Sequence, residues 1–338
     1  MRFPLATVLL LLASVPALAQ DAIEPGPWKW SGKTALNMTQ STYTKNWAGG
    51  DRGQVAWVLN LDAAAERQFS TTFNWLNTLT VAYGQTSEQN LDSGGNLEWG
   101  HPDKSTDQIL FESLARVTGS RVIDPYFSLR LDTQFRDQSY GSLGSLTLNP
   151  IKLKEAAGVS KTLRKTETSE LLTRVGFGLR QTFGRSLRRD ASTLAILEDN
   201  FTSNDGGFEW QTDATQPMLE DRVEFKAQLL VFQPIFYSKS EDLKTFDELA
   251  QAAQPGRESV ADFWKATDVN LQATLTSKIT KYLQVVLYAQ LIYDKFDTAA
   301  NVDLGLPLAD LATEVDKNVR KAGQFKQTLA LGLTYTLF

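Results

Sequence analysis

The last stretch of the chain, from Gln327 to Phe338, alternates strictly between two kinds of residue. One parity is apolar and the other holds Thr, Ala and Gly; the apolar positions are Leu329, Leu331, Leu333, Tyr335 and Leu337. Because side chains of an extended strand point alternately to two faces, this segment predicts a β-strand with one apolar and one small, polar face. A strand of a soluble sandwich and a strand of a membrane barrel both fit, so the rest of the chain has to decide.

This segment also ends on an aromatic residue. In this it resembles the carboxy-terminal strand by which bacterial outer-membrane barrels are recognised and closed. The resemblance implies a partner, the barrel-assembly machinery, and a membrane-assembly strand that includes Leu333, Tyr335, Leu337 and Phe338. Phe338 departs from the pattern, because it falls on the opposite parity from Leu337.

The amino terminus predicts export. Residues 1–19 combine Arg2, an apolar run and Ala17-Leu18-Ala19, the layout of a cleavable signal peptide. Residues 20–27 then form a short lead, and no later apolar run approaches the roughly 20 residues of a spanning helix.

The chain has no cysteine, which excludes a lipid-anchored cysteine, disulfides and thiolate metal sites. A net charge of −5 argues against nucleic acid as a partner.

Alternating apolar and polar positions predict about twelve strands. The fourth alternates poorly and the eighth is short and polar; the eighth is placed partly because the connections require it. The predicted strands are Trp28–Thr42, Gln54–Phe69, Thr72–Tyr83, Asp107–Thr118, Phe127–Phe135, Pro150–Arg164, Leu171–Phe183, Gly207–Ala214, Arg222–Val231, Asp268–Leu275, Leu283–Tyr293 and Gln327–Phe338.

Short and long connections alternate along these strands, and this favours the barrel over the sandwich. Outer-membrane barrels have an even number of antiparallel strands with short turns on one side and long loops on the other. Outward aromatic residues also fall at both strand ends: Tyr83, Phe135, Phe183 and Tyr293 on the long-loop side, and Phe69, Phe73, Trp75 and Phe127 on the short-turn side. We therefore predict an all-β fold, a single closed antiparallel transmembrane β-barrel of about 12 strands over residues 28–338, with long extracellular loops.

Two long loops contain helical patterns. Leu243, Phe246 and Leu249 recur at near-helical spacing after Ser240, and a similar pattern runs from Leu308 to Val319. Each helix either folds over the barrel mouth or packs only on neighbouring loops.

Several short segments resemble a family of outer-membrane barrels catalogued as domain of unknown function 3078. They are NWAGGD (46–51), KSTDQ (104–108), FSLRLDTQF (127–135), LTLNPIKLKEAAGV (146–159), KITKYL (278–283) and LIYDKFD (291–297). The resemblance extends over nearly all of Trp28–Phe338 and implies a barrel in the outer membrane, without assigning catalytic or binding residues. Asn46-Trp47 with Gly49-Gly50 forms either a ligand-binding loop or a tight turn, and glycine's conformational freedom favours the turn.

Enzyme chemistry is not expected. The one histidine, His101, lies between Gly100 and Pro102, which fits a solvated turn better than a base held against a nucleophile. Carboxylates in the last long loop, Asp294 to Asp316, lack calcium-loop spacing and fit a solvated loop better than a site for calcium or for lipopolysaccharide bridging. We predict no cofactor and no metal.

Charged residues of both signs fall on the parity that faces inward. The predicted lumen-lining residues are Arg130, Asp132, Arg174, Arg180, Arg222, Glu224, Lys226 and Asp268, together with Lys33, Asp62 and Lys326. Such charges either line a selective channel or cross-link a narrow barrel shut. The leading functional hypothesis is a narrow outer-membrane channel for a small polar or charged solute, in contact with outer-membrane lipid and lipopolysaccharide. The alternative is a non-conducting structural or surface-interaction barrel.

Overall fold

The computed structural model describes residues 24–44, 52–119, 122–166, 168–190 and 192–337. Twelve long strands, numbered here in chain order, form one antiparallel sheet. They are β1 Lys29–Ser41, β2 Gln54–Ser70, β3 Phe73–Leu91, β4 Asp103–Val117, β5 Asp124–Thr133, β6 Ile151–Lys165, β7 Glu170–Arg189, β8 Ile196–Met218, β9 Val223–Tyr237, β10 Asp268–Lys278, β11 Leu283–Tyr293 and β12 Gln324–Thr336. The predicted signal peptide, the NWAGGD segment and Phe338 lie outside the described residues.

The sheet closes on itself, as predicted. Each strand pairs with its neighbours in the sequence, and β1 pairs with both β2 and β12. In the closing pair Lys33 lies opposite Thr336 and Leu36 opposite Leu333. The backbone N–H of Leu337 donates to the carbonyl of Gly32 at 2.8 Å. Closure leaves no open sheet edge, which is a requirement for a sheet in hydrocarbon.

The predicted faces of the terminal strand are confirmed. Leu329, Leu333 and Tyr335 are 62%, 58% and 58% exposed on the outer surface, whereas Ala330 on the other parity is buried. The fourth strand alternated poorly for a physical reason. Phe111 faces outward, but Leu114 faces inward and packs with Tyr126 and Leu172 inside the barrel. Both parities of β4 therefore carry large apolar residues, and the inward one carries the charged Glu112 as well.

The strands differ in length, and β7 and β8 run well past the predicted limits. With 20 and 23 residues they form a long hairpin, whose connection is only residues 190–195. The predicted eighth strand, Gly207–Ala214, is therefore correct in place and too short. Above the apolar part of this hairpin both faces are polar; for example, Arg188 Nε donates to Asp199 at 2.6 Å. No amphipathic alternation marks the upper part in the sequence.

Two helices at the long-loop end of the barrel share a hydrophobic core. α1 (Ser240–Ala253) and a short 3₁₀ helix (Phe263–Lys265) lie between β9 and β10, and α2 (Leu308–Asp316) lies between β11 and β12. Their core is built from twelve buried residues: Tyr237, Leu243, Phe246, Ala250, Val260, Phe263, Trp264, Phe296, Ala300, Val302, Leu311 and Val315. We call residues 238–267 and 294–323 the cap. The predicted helices are thus confirmed, and they pack on each other.

No helix in the described part of the chain is both long and apolar enough to span a membrane.

Candidate functional site: a polar cavity along one side of the barrel

A cavity of about 1490 Å³ occupies one side of the lumen. Inward residues of β1, β2, β3 and β9 to β12 line it, and β4, β5 and β6 contribute residues near their long-loop ends. Its lining begins with Gly32 and Thr336 at the short-turn end, called here the turn end. It reaches Tyr140 and Lys317 among the long loops, called here the loop end. The cavity therefore extends along the length of the barrel.

Three of the predicted lumen residues line this cavity: Asp132, Glu224 and Lys226. Glu224 Oε1 lies 3.3 Å from Lys226 Nζ, two positions along β9. Lys33, Asp62 and Lys326 also line it. All six side chains face inward, on the parity that the alternation assigned to the lumen.

Arg174 lies outside the large cavity, in the packed side of the lumen. It is only 4% exposed, and its guanidinium lies 2.6 Å from Glu112 and 3.2 Å from Asp213. These partners come from β4 and β8, so the ion pairs connect three different strands across the interior. Arg174 therefore braces the barrel.

Arg180 makes a second brace nearer the loop end. It contacts Asp205 through a close ion pair and Asp268 at 2.9 Å, joining β7, β8 and β10. The guanidinium also stacks over the Phe232 ring, 3.8 Å from its centroid. The structure thus brings the predicted residues Arg180 and Asp268 together as an ion pair.

The remaining two predicted residues occupy different environments. Arg130 faces inward on β5 between Glu112 and Lys154 of the neighbouring strands. Arg222 lies in the turn 219–222 before β9 and is exposed, so it is not part of the barrel wall. The alternatives of an open lumen and a cross-linked lumen thus describe two sides of the same barrel.

Segments that carry the family resemblance meet at the loop end. Asp107, from KSTDQ, accepts hydrogen bonds from the backbone N–H groups of Phe135 and Arg136 at 2.7 and 2.9 Å. Asn149, from LTLNPIKLKEAAGV, donates to Asp137 at 2.8 Å and to the Arg185 carbonyl at 3.0 Å. These bonds hold loop 134–150 against β4 and β7, and Asp107 and Asn149 both line the cavity.

Residues of β6 and of the loops, none of them predicted from the sequence, complete the cavity wall. Lys152 contacts Asp297 of the cap at 3.2 Å, and Lys317 lies over the Tyr140 ring, 5.1 Å from its centroid. Burial raises the pKa of Tyr140 above its usual value, so its side chain is a neutral phenol. Inward parity on the predicted sixth strand was a usable signal for Lys152, but no periodicity marks Tyr140 or Lys317.

Among the described residues no group of three or more His, Asp or Glu side chains is placed to hold a metal ion. His101 is exposed, in the connection between β4 and the short strand Leu97–Trp99 that pairs with the end of β3.

Residues 38–139 match a family described as "Protein of unknown function (DUF3078)". The resemblance expected from the sequence is confirmed over this range, which contains the NWAGGD, KSTDQ and FSLRLDTQF segments. Over the rest of the chain it stays a prediction. No curated protein matches the sequence.

Solved outer-membrane barrels show low similarity. The translocator domain of the autotransporter NalP from Neisseria meningitidis is 7% identical, with a TM-score of 0.37; the match covers 90% of this chain and 86% of that one. An outer membrane channel from Pseudomonas putida F1 is 11% identical, with a TM-score of 0.37 and coverage of 94% and 98%. The beta domain of the Bordetella autotransporter BrkA is 13% identical, with a TM-score of 0.32 and coverage of 91% and 97%.

Proposed function

We propose that this chain is an outer-membrane channel that conducts a small polar or charged solute. The cavity lined from Gly32 and Thr336 to Tyr140 and Lys317 is the observation that carries the proposal. The exposed apolar side chains of the outer surface, such as Leu329 and Leu333, fit contact with lipid and lipopolysaccharide. Export by a signal peptide and insertion by the barrel-assembly machinery belong to the same proposal.

The channel would be narrow. Interiors of about eight strands are nearly filled by side chains, and diameter grows with strand number. In this barrel the Arg174 and Arg180 braces occupy one side, which leaves the other side for a solute. The charged residues that line that side then determine which solutes pass.

A second candidate function is a non-conducting barrel, and the cap is the observation that favours it. A core of twelve buried residues makes the cap a stable unit, and Asp297 and Lys317 of the cap line the loop end of the cavity. A cap that never moves would block passage and present a surface to the exterior.

Conductance of the refolded protein in planar bilayers separates the two functions. Each preparation is first shown to be a closed barrel by faster gel migration before boiling than after. We expect small, discrete conductance steps for the wild-type chain, and larger steps when residues 294–323 are replaced by a short turn. The cap core spans two loops, so gel migration also checks that this variant stays folded.

Folded protein without conductance or solute uptake into liposomes, in both forms, would establish the non-conducting barrel. Equal migration with and without boiling, together with recovery from the soluble fraction, would contradict the membrane location.

A further inference from the structure

Five charged side chains lie near each other at the turn end of the cavity. They are Lys33 of β1, Asp62 of β2, Glu224 and Lys226 of β9, and Lys278 of β10. Asp62 lies opposite Lys33 in the strand register, and all of them except Lys278 line the cavity. Three strands separate β1 from β9 around the barrel. The charges of Glu224 and Lys226 nevertheless act on Lys33 across the lumen.

The carboxylates of this cluster already have partners. Glu224 pairs with Lys226 at 3.3 Å, and Asp62 accepts a hydrogen bond from Thr80 Oγ1 at 2.9 Å. Lys33 forms no ion pair with any residue in the described ranges. Three lysines against two carboxylates leave the cluster with an excess of positive charge, carried at the cavity surface by Lys33.

The adjoining wall has the same sign. The cavity lining supplied by β10, β11, β12 and β1 contains Lys33 and Lys326 and no carboxylate. Between the two lysines it presents hydroxyl and amide groups, including Thr328, Tyr288 and Gln290. On the opposite wall, Asp132 lies beside Lys152 in the strand register, and Asp107 lies 3.2 Å from Lys104 Nζ. The seven carboxylates of the cavity lining therefore all lie on other strands, in loop 134–150 or in the cap, and the wall from β10 to β1 carries positive charge only.

We infer that Lys33 sets the charge selectivity of the channel and that the solute is a small anion, such as an organic carboxylate. This inference rests on the proposed function, since it concerns solute choice within a conducting barrel. Rings of charge set ion selectivity in such pores. An ammonium group in a narrow lumen, where water screens it less than in bulk, attracts anions and repels cations.

Reversal potentials in a potassium chloride gradient test the inference. We expect the wild-type channel to pass chloride in preference to potassium, Lys33→Gln to lose most of this preference, and Lys33→Glu to reverse it. Lys281→Glu is the matched control. It makes the same charge change at the same end of the barrel, in the exposed turn 279–282, where Lys281 lies over the Tyr282 ring.

Each result has a separate meaning. A cation-selective wild-type channel, or an unchanged reversal potential in Lys33→Glu that migrates as a folded barrel, would overturn the inference and leave the channel function intact. An equal shift in Lys281→Glu would assign selectivity to general surface charge and also overturn it. If Lys33→Glu does not fold, Lys33→Gln and Lys33→Met give the same comparison without a buried carboxylate. Absence of any current in the folded wild-type protein would overturn both proposals.

Discussion

Lys152 of β6 donates to Asp297, 145 positions later in the chain, with Nζ and Oδ2 3.2 Å apart. The bond joins the barrel wall to the cap. Two further bonds lie on the same side of the barrel: Ser203 Oγ donates to the Thr298 carbonyl at 2.6 Å, and Asn301 Nδ2 donates to Ser186 Oγ at 3.2 Å. Residues 297–301 are therefore held against β6, β7 and β8, and Asp297, Ala299 and Asn301 of this segment line the large cavity.

Loss of the Lys152–Asp297 pair should loosen the cap. Both side chains are partly exposed, and such pairs contribute up to about 1 kcal/mol, so we expect Lys152→Met to raise the opening of the cap by up to about fivefold. Proteinase K cleavage within residues 294–323 and the frequency of current fluctuations in bilayers measure this opening.

Lys265→Met is the control for this change, because it breaks the exposed Lys265–Asp262 pair, which lies within one cap segment. Equal cleavage of Lys152→Met and the wild-type protein would mean that the other bonds hold the cap without this pair.

The attachment of the cap should also depend on pH. Burial and the neighbouring Asp297 raise the pKa of Asp294 above its usual value. Burial alone would raise the pKa of Asp297 as well, but the Lys152 ammonium and the Ala299 N–H lower it below its usual value. Asp294 thus binds its proton more tightly in the attached cap, so attachment strengthens as pH falls through its raised pKa. The contribution of Asp297 is present above about pH 4 and is lost as pH falls through its lowered pKa.

We therefore expect the cap to be most resistant to proteinase K at mildly acidic pH, and less resistant at neutral pH and below about pH 3. Cleavage rates are normalised to an unstructured peptide at each pH. Asp294→Asn should remove the difference between neutral and mildly acidic pH and retain the loss at low pH. A resistance that increases steadily down to the lowest pH would contradict the role of Asp297.

The Arg174 brace should matter for stability more than for conduction. Arg174→Gln leaves Glu112 and Asp213 without their cation in the packed side of the lumen, and removing one partner of a buried pair typically costs roughly 3 to 5 kcal/mol. Arg185→Gln, which breaks an exposed pair with Glu198, should cost less than about 1 kcal/mol. Urea unfolding of barrels in lipid vesicles measures both changes in the free energy of unfolding.

The same reasoning applies to Arg130, Arg174 and Arg180 replaced together by Gln. Neither Arg174 nor Arg180 lines the large cavity, so the triple variant should lose stability chiefly and keep its ion selectivity. A large change of ion selectivity in a stably folded triple variant would show that solutes pass through the side of the lumen that Arg174 and Arg180 brace.

The alternation of short and long connections predicted the closure of the barrel, and period-two alternation predicted most of its strands and their facing. It works where one face meets an apolar surrounding and the other does not, as at Leu329 and Ala330. It failed at the upper ends of β7 and β8, where both faces are polar, and at β4, where Leu114 packs inside. At the hairpin ends both faces are polar, and on β4 both faces carry large apolar residues, so the sequence loses its period in both cases.

The division of the lumen was not predictable from the sequence. Arg174 and Lys33 occupy equivalent inward parities, yet one is braced by two carboxylates and the other lines the cavity. The difference depends on which strands lie across the barrel from each residue. The order in which the strands pair does not determine which of them face each other across the lumen. Loop residues such as Tyr140 and Lys317 reach the cavity through tertiary packing of the cap.

The facing of the strands is tested by two neighbouring positions of β10. Leu271 is 40% exposed on the outer surface, and Gln272 lines the cavity. Arginine on the lipid face near the bilayer midplane costs roughly 2 to 4 kcal/mol, so Leu271→Arg should destabilise the inserted barrel by that amount while Gln272→Arg is tolerated. The analogous pair on β5 is less suitable. Leu129→Arg tests the lipid face equally well, but Ser128 is only 3% exposed in the packed side, so Ser128→Arg would overpack it. Equal destabilisation by Leu271→Arg and Gln272→Arg in urea unfolding would mean that the apolar face of β10 does not meet lipid.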